Sequence, residues 1–319
     1  MLTNSILTPE EQNSLNQRFL DACNGYKYND TDNAEVEKLL AEGAKITAVD
    51  PEGNTALHIA CRYHSHFLVA MLLQKGCNPS QPNDNGKLPF DKIPKMKNES
   101  SGRYSWQVYN TMDLILSAEE WSTPHSSSDI FKARYKINSP LQLAFLYGCK
   151  KAIKVQLDKR MNIDHVRVCG LPLLVYILNE KVRLWSNDSL FSQDEIIEIA
   201  LCLIDKLNSI NTVNDDKKNP LQLAAIIGSD EVCKKIIEKE PGLLKVIDKQ
   251  GRTPIWYAAF NGHESIVLSM LEHGSDPIDV DEHTCYFVSQ PVITKLKPEI
   301  LTLMQEARKL QMSTQTNHS

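Results

Sequence analysis

Residues 50–77 and 248–275 can be laid over one another without a gap: DPEGNTALHIACRYHSHFLVAMLLQKGC against DKQGRTPIWYAAFNGHESIVLSMLEHGS. Each reads Asp, two residues, Gly, one residue, Thr, an apolar run containing Ala, and a second apolar run followed by Gly. Weaker copies lie between them, SPLQLAFLYGCKKAIKVQL at 139–157 and NPLQLAAIIGSDEVCKKII at 219–237. The residues in the first helical place are Ala56, Pro89, Pro140, Pro172, Pro220 and Pro254, separated by 33, 51, 32, 48 and 34 positions. That is a period near 33 with two insertions. A unit of this length cannot bury its apolar face alone, so the chain must fold as neighbours stacked on one another.

Local chemistry agrees with helical hairpins. Thr55 and Thr253 stand where an N-cap is wanted, and the proline position after them suits a first helical turn. Gly53, Gly86 and Gly251 supply turn conformations that a side chain would hinder. Leu57, Ala60, Leu68, Val69, Leu72 and Leu73 fall on helical faces. At the start, Thr8, Pro9 and Glu11 predict a capped helix, and Asp32 with Glu35 predicts a second. Ser192 and Glu195 form another capping box before a long apolar pattern.

The pattern resembles the ankyrin repeat, with its Gly-x-Thr-Pro-Leu-His turn and helix, second helix and closing Gly. The resemblance covers roughly residues 14–310. It implies an all-α solenoid of helix-turn-helix units with short β-turn tips, in one domain over 1–311. The units are a capping unit at 14–49, repeats at 50–82, 83–133, 134–165, 166–213, 214–247 and 248–280, and a C-terminal capping helix at 281–311. That helix is expected from Pro298, and 312–319 reads as a disordered tail. Two units are irregular. The third has a short first helix, a loop at 98–105 and a second helix at 105–120. The fifth lacks Gly in the turn place and has Tyr176 where the family has Ala, with helices at 172–185 and from Ser192 to about Leu207.

Composition removes several function classes. A formal charge of −5 argues against a general binder of nucleic acid or anionic membrane, each of which needs a concentrated basic face. The densest basic run, KIPKMK at 92–97, is short. No segment has the length of a membrane span, and no secretory signal pattern opens the chain. Eight cysteines are scattered without a Cys-x-x-Cys pair, which points to a reducing, cytoplasmic setting.

Two clusters tempt a chemical reading. His58, Cys61, His64 and His66 fall close together, but a zinc site needs about four convergent ligands. By the resemblance His58 is the turn histidine that bonds neighbouring turns, Cys61 packs inward, His64 ends the first helix and His66 starts the second. Asp164, His165 and Cys169 lie in a turn between repeats, with little of the electropositive setting a nucleophilic thiol needs. His263 takes the place that begins a second helix. No catalytic residue, metal or cofactor is expected.

What architecture does not require is a set of residues at the first-helix ends: Arg62 and Tyr63, Leu146 and Tyr147, Leu178 and Asn179, Ile226 and Ile227, Phe260 and Asn261. The family binds partners on a concave face built from these ends and the turn tips. The implied surface is an apolar stripe, bordered by Trp256 in place of the turn histidine and rimmed by Glu52, Asn54, Lys249, Gln250 and Arg252. The function implied is non-enzymatic binding of another protein by a monomer. The alternative is an enzyme with a site in residues 91–139 or 166–195. Lysine far outnumbers arginine, and the degenerate repeats with a polar tail resemble in style effectors that intracellular bacteria inject into host cells. Such an effector would reach the host cytosol without a cleavable signal peptide and act on a host protein. A eukaryotic ankyrin adaptor is the other reading of the same features.

Overall fold

The computed structural model describes residues 7–24, 33–94, 106–118, 139–159, 162–182 and 190–276, together with Thr302 and Glu306. Two compact units, Met1–Met161 and Asn162–Ser319, each stack helical hairpins in chain order.

In the first unit, Thr8 caps α1 (Pro9–Asn24): its backbone N–H donates to Glu11 Oε2 at 2.8 Å, and the Glu11 N–H returns to Thr8 Oγ1 at 3.3 Å. Leu15, Phe19, Leu20 and Cys23 form the buried face of α1. Helix α2 (Ala34–Ala41) begins behind Asn33, while Asp32 lies outside the described residues. The clean repeat gives α3 (Ala56–Arg62) and α4 (His66–Gln74). In the third repeat the first helix shrinks to a 3-10 turn, Pro89–Lys92, and the second is α5 (Trp106–Ser117); the loop at 98–105 lies outside the described residues. The fourth contributes α6 (Pro140–Tyr147) and α7 (Lys150–Asp158). Helix α5 supplies the N-terminus of α7 with partners from another repeat. Tyr109 Oη accepts the Lys150 N–H at 3.2 Å and donates to the Gly148 carbonyl at 2.8 Å, and Asp113 Oδ1 accepts the Ala152 N–H at 2.8 Å. These bonds occupy donors that a helix start leaves free.

The second unit opens with an antiparallel hairpin, β1 (Arg167–Val168) and β2 (Leu171–Pro172), ahead of α8 (Leu173–Val182) and α9 (Gln193–Lys206). The capping box before α9 is formed: the Ser192 N–H donates to Glu195 Oε2 at 2.7 Å. Then come α10 (Pro220–Ile227), α11 (Asp230–Lys239), a 3-10 turn at Pro241–Lys245, α12 (Pro254–Phe260) and α13 (Glu264–Glu272). Of the C-terminal helix expected from Pro298, only Thr302 and Glu306 are described, both helical. Apart from the short hairpin, the described residues are all-α.

Finger-like turns precede the first helices of the second, third, sixth and seventh repeats, and each of these four is held by one Asx side chain. Asp50 Oδ1 accepts the N–H groups of Glu52 and Asn54 at 2.9 and 2.8 Å. Asn83, Asn214 and Asp248 repeat the pattern on the residues two and four positions on. Partial burial pushes the Asp50 carboxyl up, but the hydrogen bonds from Asn54 and Glu52 outweigh it and leave its pKa below the ordinary value. The finger needs one left-handed residue, supplied by Gly53, Gly86 and Gly251 at φ of 75°, 68° and 73°. A Cβ at Gly53 would also run into Asp84 of the next finger. The helix stop needs another, met by Gly148, Gly228 and Gly262, and by His64 at φ 51°.

Fingers are tied to their neighbours through the third residue after the cap. His58 is 1% exposed. Its Nδ1 faces the Thr55 backbone N–H at 3.1 Å and the Thr55 hydroxyl at 2.8 Å, and its Nε2 lies 2.9 Å from the Lys87 carbonyl. A carbonyl only accepts, so Nε2 carries the proton and Nδ1 is the acceptor; the ring is neutral. Gln222 does the same in the sixth repeat. Its Oε1 accepts the Asn219 N–H at 2.7 Å, and its Nε2 donates to the Arg252 carbonyl at 2.6 Å. Gln142 holds the place in the fourth repeat, its N–H bonded to Ser139 Oγ at 3.2 Å.

Burial holds the His58 pKa below its ordinary value. Below about pH 6.5 the unfolded chain therefore takes up a proton that the folded ring refuses, and stability falls as pH drops from there towards the folded pKa. His58→Gln is expected to stay within about 1 kcal/mol of wild type at pH 7.5 and to lose less stability between pH 6.5 and 5 in urea melts. His58→Ala should cost about 2–4 kcal/mol, because buried partners lose their bonds.

Candidate protein-binding surface

Each unit presents its own set of first-helix ends and fingers. In the first unit, Arg62 and Tyr63 close α3 and Leu146 and Tyr147 close α6, and all four are half-buried. Tyr147 is steadied from below by the buried Phe90, their rings 5.5 Å apart and tilted. Glu52 stands exposed at the finger tip, where its Oε2 lies 3.7 Å from the Arg62 guanidinium and 3.8 Å from Lys92 Nζ. Such surface pairs contribute little stability, but they place charges beside Tyr63.

Asn54 is not on the rim. It is fully buried, its Nδ2 donating to Asp50 and Glu52, and its Oδ1 accepting from Asn83 Nδ2 at 2.7 Å. With the Asp84 N–H bonded to the Glu52 carbonyl at 3.1 Å, it is the joint between two fingers. A polar residue in a turn reads as solvated; here the next finger covers it.

In the second unit, Ile226 and Phe260 are half-buried, Lys249 and Gln250 exposed, and Arg252 half-buried. Three expected surface residues are core instead: Leu178 is 1% exposed, Ile227 4% and Trp256 2%. Helix α10 packs against α8 on one side and α12 on the other. Consecutive helical residues point about 100° apart, so at Leu178–Asn179 and Ile226–Ile227 one of the pair faces out while the other goes in. Ile226 is the outer member at its site, and Asn179 the outer member beside Leu178, its Oδ1 accepting from Asn214 Nδ2 at 3.3 Å. Helical phase, read pair by pair, was the available signal.

Trp256 is buried flat against Phe260, centroids 4.9 Å apart and 9° between planes, with the Arg252 guanidinium 5.0 Å from its ring. Arg252 also lies 4.9 Å from the Tyr257 ring and bonds Asp248 Oδ2 through Nε at 3.1 Å, and the Tyr257 hydroxyl donates to the same carboxylate. Partial burial pushes the Asp248 pKa up, but bonds from Tyr257 and Arg252 outweigh it and leave it below the ordinary value; burial and the Asp248 bond push the Tyr257 phenol up. This cluster holds Arg252 in place, and of its side chains Arg252 and Phe260 stay partly exposed.

Exchanging the turn histidine for Trp256 has a cost. Indole cannot accept the bond that His58 accepts. Thr253 Oγ1 and Trp256 Nε1 are both buried without a hydrogen-bond partner among the described residues, so Thr253 does not cap α12 through its side chain as expected.

Among the described residues no three His, Cys, Asp or Glu side chains are placed to hold a metal. Burial pushes the Cys23 and Cys77 thiols to about 12 and raises Cys61, Cys149 and Cys233 well above their ordinary value. Thiols so shifted supply almost no thiolate at neutral pH. Cys169 sits at φ 52° in the hairpin turn, and Asp164 binds the backbone and side chain of Asn208. No described helix is long and apolar enough to cross a membrane.

Residues 22–92 and 190–281 match the family model for ankyrin repeats. Human transient receptor potential cation channel subfamily A member 1 is 26% identical over 283 residues, covering 86% of this chain and 23% of that protein. Rat ankyrin repeat and SAM domain-containing protein 6 is 33% identical over 69 residues, 22% of this chain and 8% of that protein. The chain thus spans less than a quarter of either relative. A solved structure, EF0377, an ankyrin repeat protein, aligns over 70% of this chain and 98% of its own at 19% identity, with a TM-score of 0.41.

Thr253→Val keeps the shape and removes the stranded hydroxyl. It is expected to leave thermal stability unchanged or raise it by about 1 kcal/mol, whereas Thr55→Val should lower it by about 1–2 kcal/mol, both read from the melting midpoint.

Proposed function

The chain belongs to the ankyrin-repeat family, and from that premise we propose that it is a non-enzymatic recognition module whose first-helix ends and finger tips bind a protein partner. The observation that carries this reading is the half-buried state of Tyr63, Leu146 and Tyr147 in one unit and of Ile226 and Phe260 in the other. Each belongs to a short helix, or to its cap, on a rigid scaffold. The fingers beside them are held by Asn54 and Asn83 in one unit and by the Lys249 N–H to Asp216 carbonyl bond, 3.0 Å, in the other. A surface ordered before binding loses little entropy on association, and aromatic side chains on it are favoured hot spots. Glu52, Arg62, Lys249, Gln250 and Arg252 supply polar groups around these side chains, suited to fixing orientation.

Affinity capture from a eukaryotic lysate tests the proposal. Tyr147→Ala in the first unit and Phe260→Ala in the second are the variants of choice, since both side chains are partly exposed. Each variant should melt cooperatively with circular dichroism close to wild type, and together they should lower recovery of the partner about tenfold or more. Equal recovery by wild type and the double variant would refute the surface.

A further inference from the structure

Ile247 is 56% exposed and Val213 42%, and each immediately precedes the Asx residue that opens a finger. The Lys249 N–H to Asp216 carbonyl bond holds these two fingers side by side. Along the arm into the second finger, exposure alternates: Lys245, Ile247 and Lys249 are exposed, Val246 is half-buried and Asp248 buried. Lys245 closes the 3-10 turn before this arm and Lys249 opens the finger turn after it, so an exposed lysine stands at each end of the arm that carries Ile247.

The charges on this edge are unequal. Among residues 211–218 and 245–252, Asp216 pairs with Lys218 at 3.0 Å and Asp248 with Arg252 at 3.1 Å. That leaves Lys217, Lys245 and Lys249 outside any ion pair among the described residues, against Asp215 alone. The chain as a whole carries −5, so its composition gives no reason to expect a basic edge. Lys217 adds an independent sign. It holds φ of 60° in the place where Gly53, Gly86 and Gly251 serve the other fingers. A side chain there is strained and glycine would not be, and strain retained at one position points to what the side chain does.

We infer that this edge binds an extended acidic segment of a partner protein, with an apolar side chain covering Val213 and Ile247 and carboxylates meeting Lys217, Lys245 and Lys249. Two exposed β-branched side chains flanked by three lysines outside any ion pair among the described residues are complementary to an apolar residue flanked by carboxylates, an arrangement that an extended segment presents on one of its sides. The inference goes beyond the proposed function, since it concerns the finger arms; Lys249 is the one residue it shares with the first-helix ends and finger tips named there.

The test is fluorescence anisotropy of the full chain with labelled peptides of about ten residues alternating Val and Glu, Val and Lys, or Ser and Glu. The Val-Glu peptide should bind saturably and weaken with salt, as rim charges do. Lys245→Glu with Lys249→Glu, and Ile247→Ser separately, should each weaken it about tenfold, while Lys75→Glu on the other unit changes it less than about twofold. Lys217→Gly should weaken the peptide severalfold yet raise the melting temperature, a pairing that mere loss of structure cannot produce. No saturable binding, equal binding of the Val-Lys or Ser-Glu peptide, or affinity indifferent to Ile247 and the lysines would overturn the inference. None of these variants touches Tyr147 or Phe260, so failure here leaves the capture experiment to decide the helix-end surface separately.

Discussion

One buried side chain, three residues beyond the cap, joins a regular first helix to the finger of the next repeat. In the second repeat His58 takes the Thr55 backbone N–H and gives its own proton to the Lys87 carbonyl in the next finger. Gln222 performs both acts in the sixth repeat, toward Asn219 and Arg252. The bond is made in the interior, where an unpaired amide or carbonyl is expensive, so it fixes the spacing of one finger on the next. With the spacing fixed, the apolar faces of the helices meet their neighbours in register. Neither a lone helix of seven residues nor a lone finger would persist in water.

The same link shows how far a repeat can drift. The seventh puts Trp256 in the place, gaining a stacked contact with Phe260 and leaving two polar atoms without partners. The third gives up most of its first helix, while its second, α5, reaches across with Tyr109 and Asp113 to satisfy the start of α7. Among the described residues, the three non-glycine residues with positive φ, His64, Cys169 and Lys217, all occupy places where sibling repeats hold Gly. The backbone conformation belongs to the repeat position and persists when the residue changes.

A scaffold of this kind leaves little for function except what its side chains present to solvent. The half-buried aromatics at the helix ends and the basic, β-branched edge of the second unit's fingers are two such presentations. Both rest on elements held by hydrogen bonds from neighbouring repeats, which suits recognition by preformed shape.

The period near 33 determined the class of fold, because a helical hairpin with one apolar face has no stable solution except stacking. The caps at Thr8 and Ser192, the inward Cys61 and the helix stop at His64 were legible for the same reason: each depends on residues a few positions away. The surface was only partly legible. Leu178, Ile227 and Trp256 were read as exposed, and Asn54 as a tip, yet all four are buried. Burial at those places depends on which side a neighbouring repeat covers, a relation between residues some 30 positions apart. Hydropathy along the chain does not carry it. What the sequence settled alone was the repeat and its local signals, whose causes are short-range. What only the tertiary structure decided was which side of each helix and finger faces water, because neighbouring repeats compete with solvent for the same side chains.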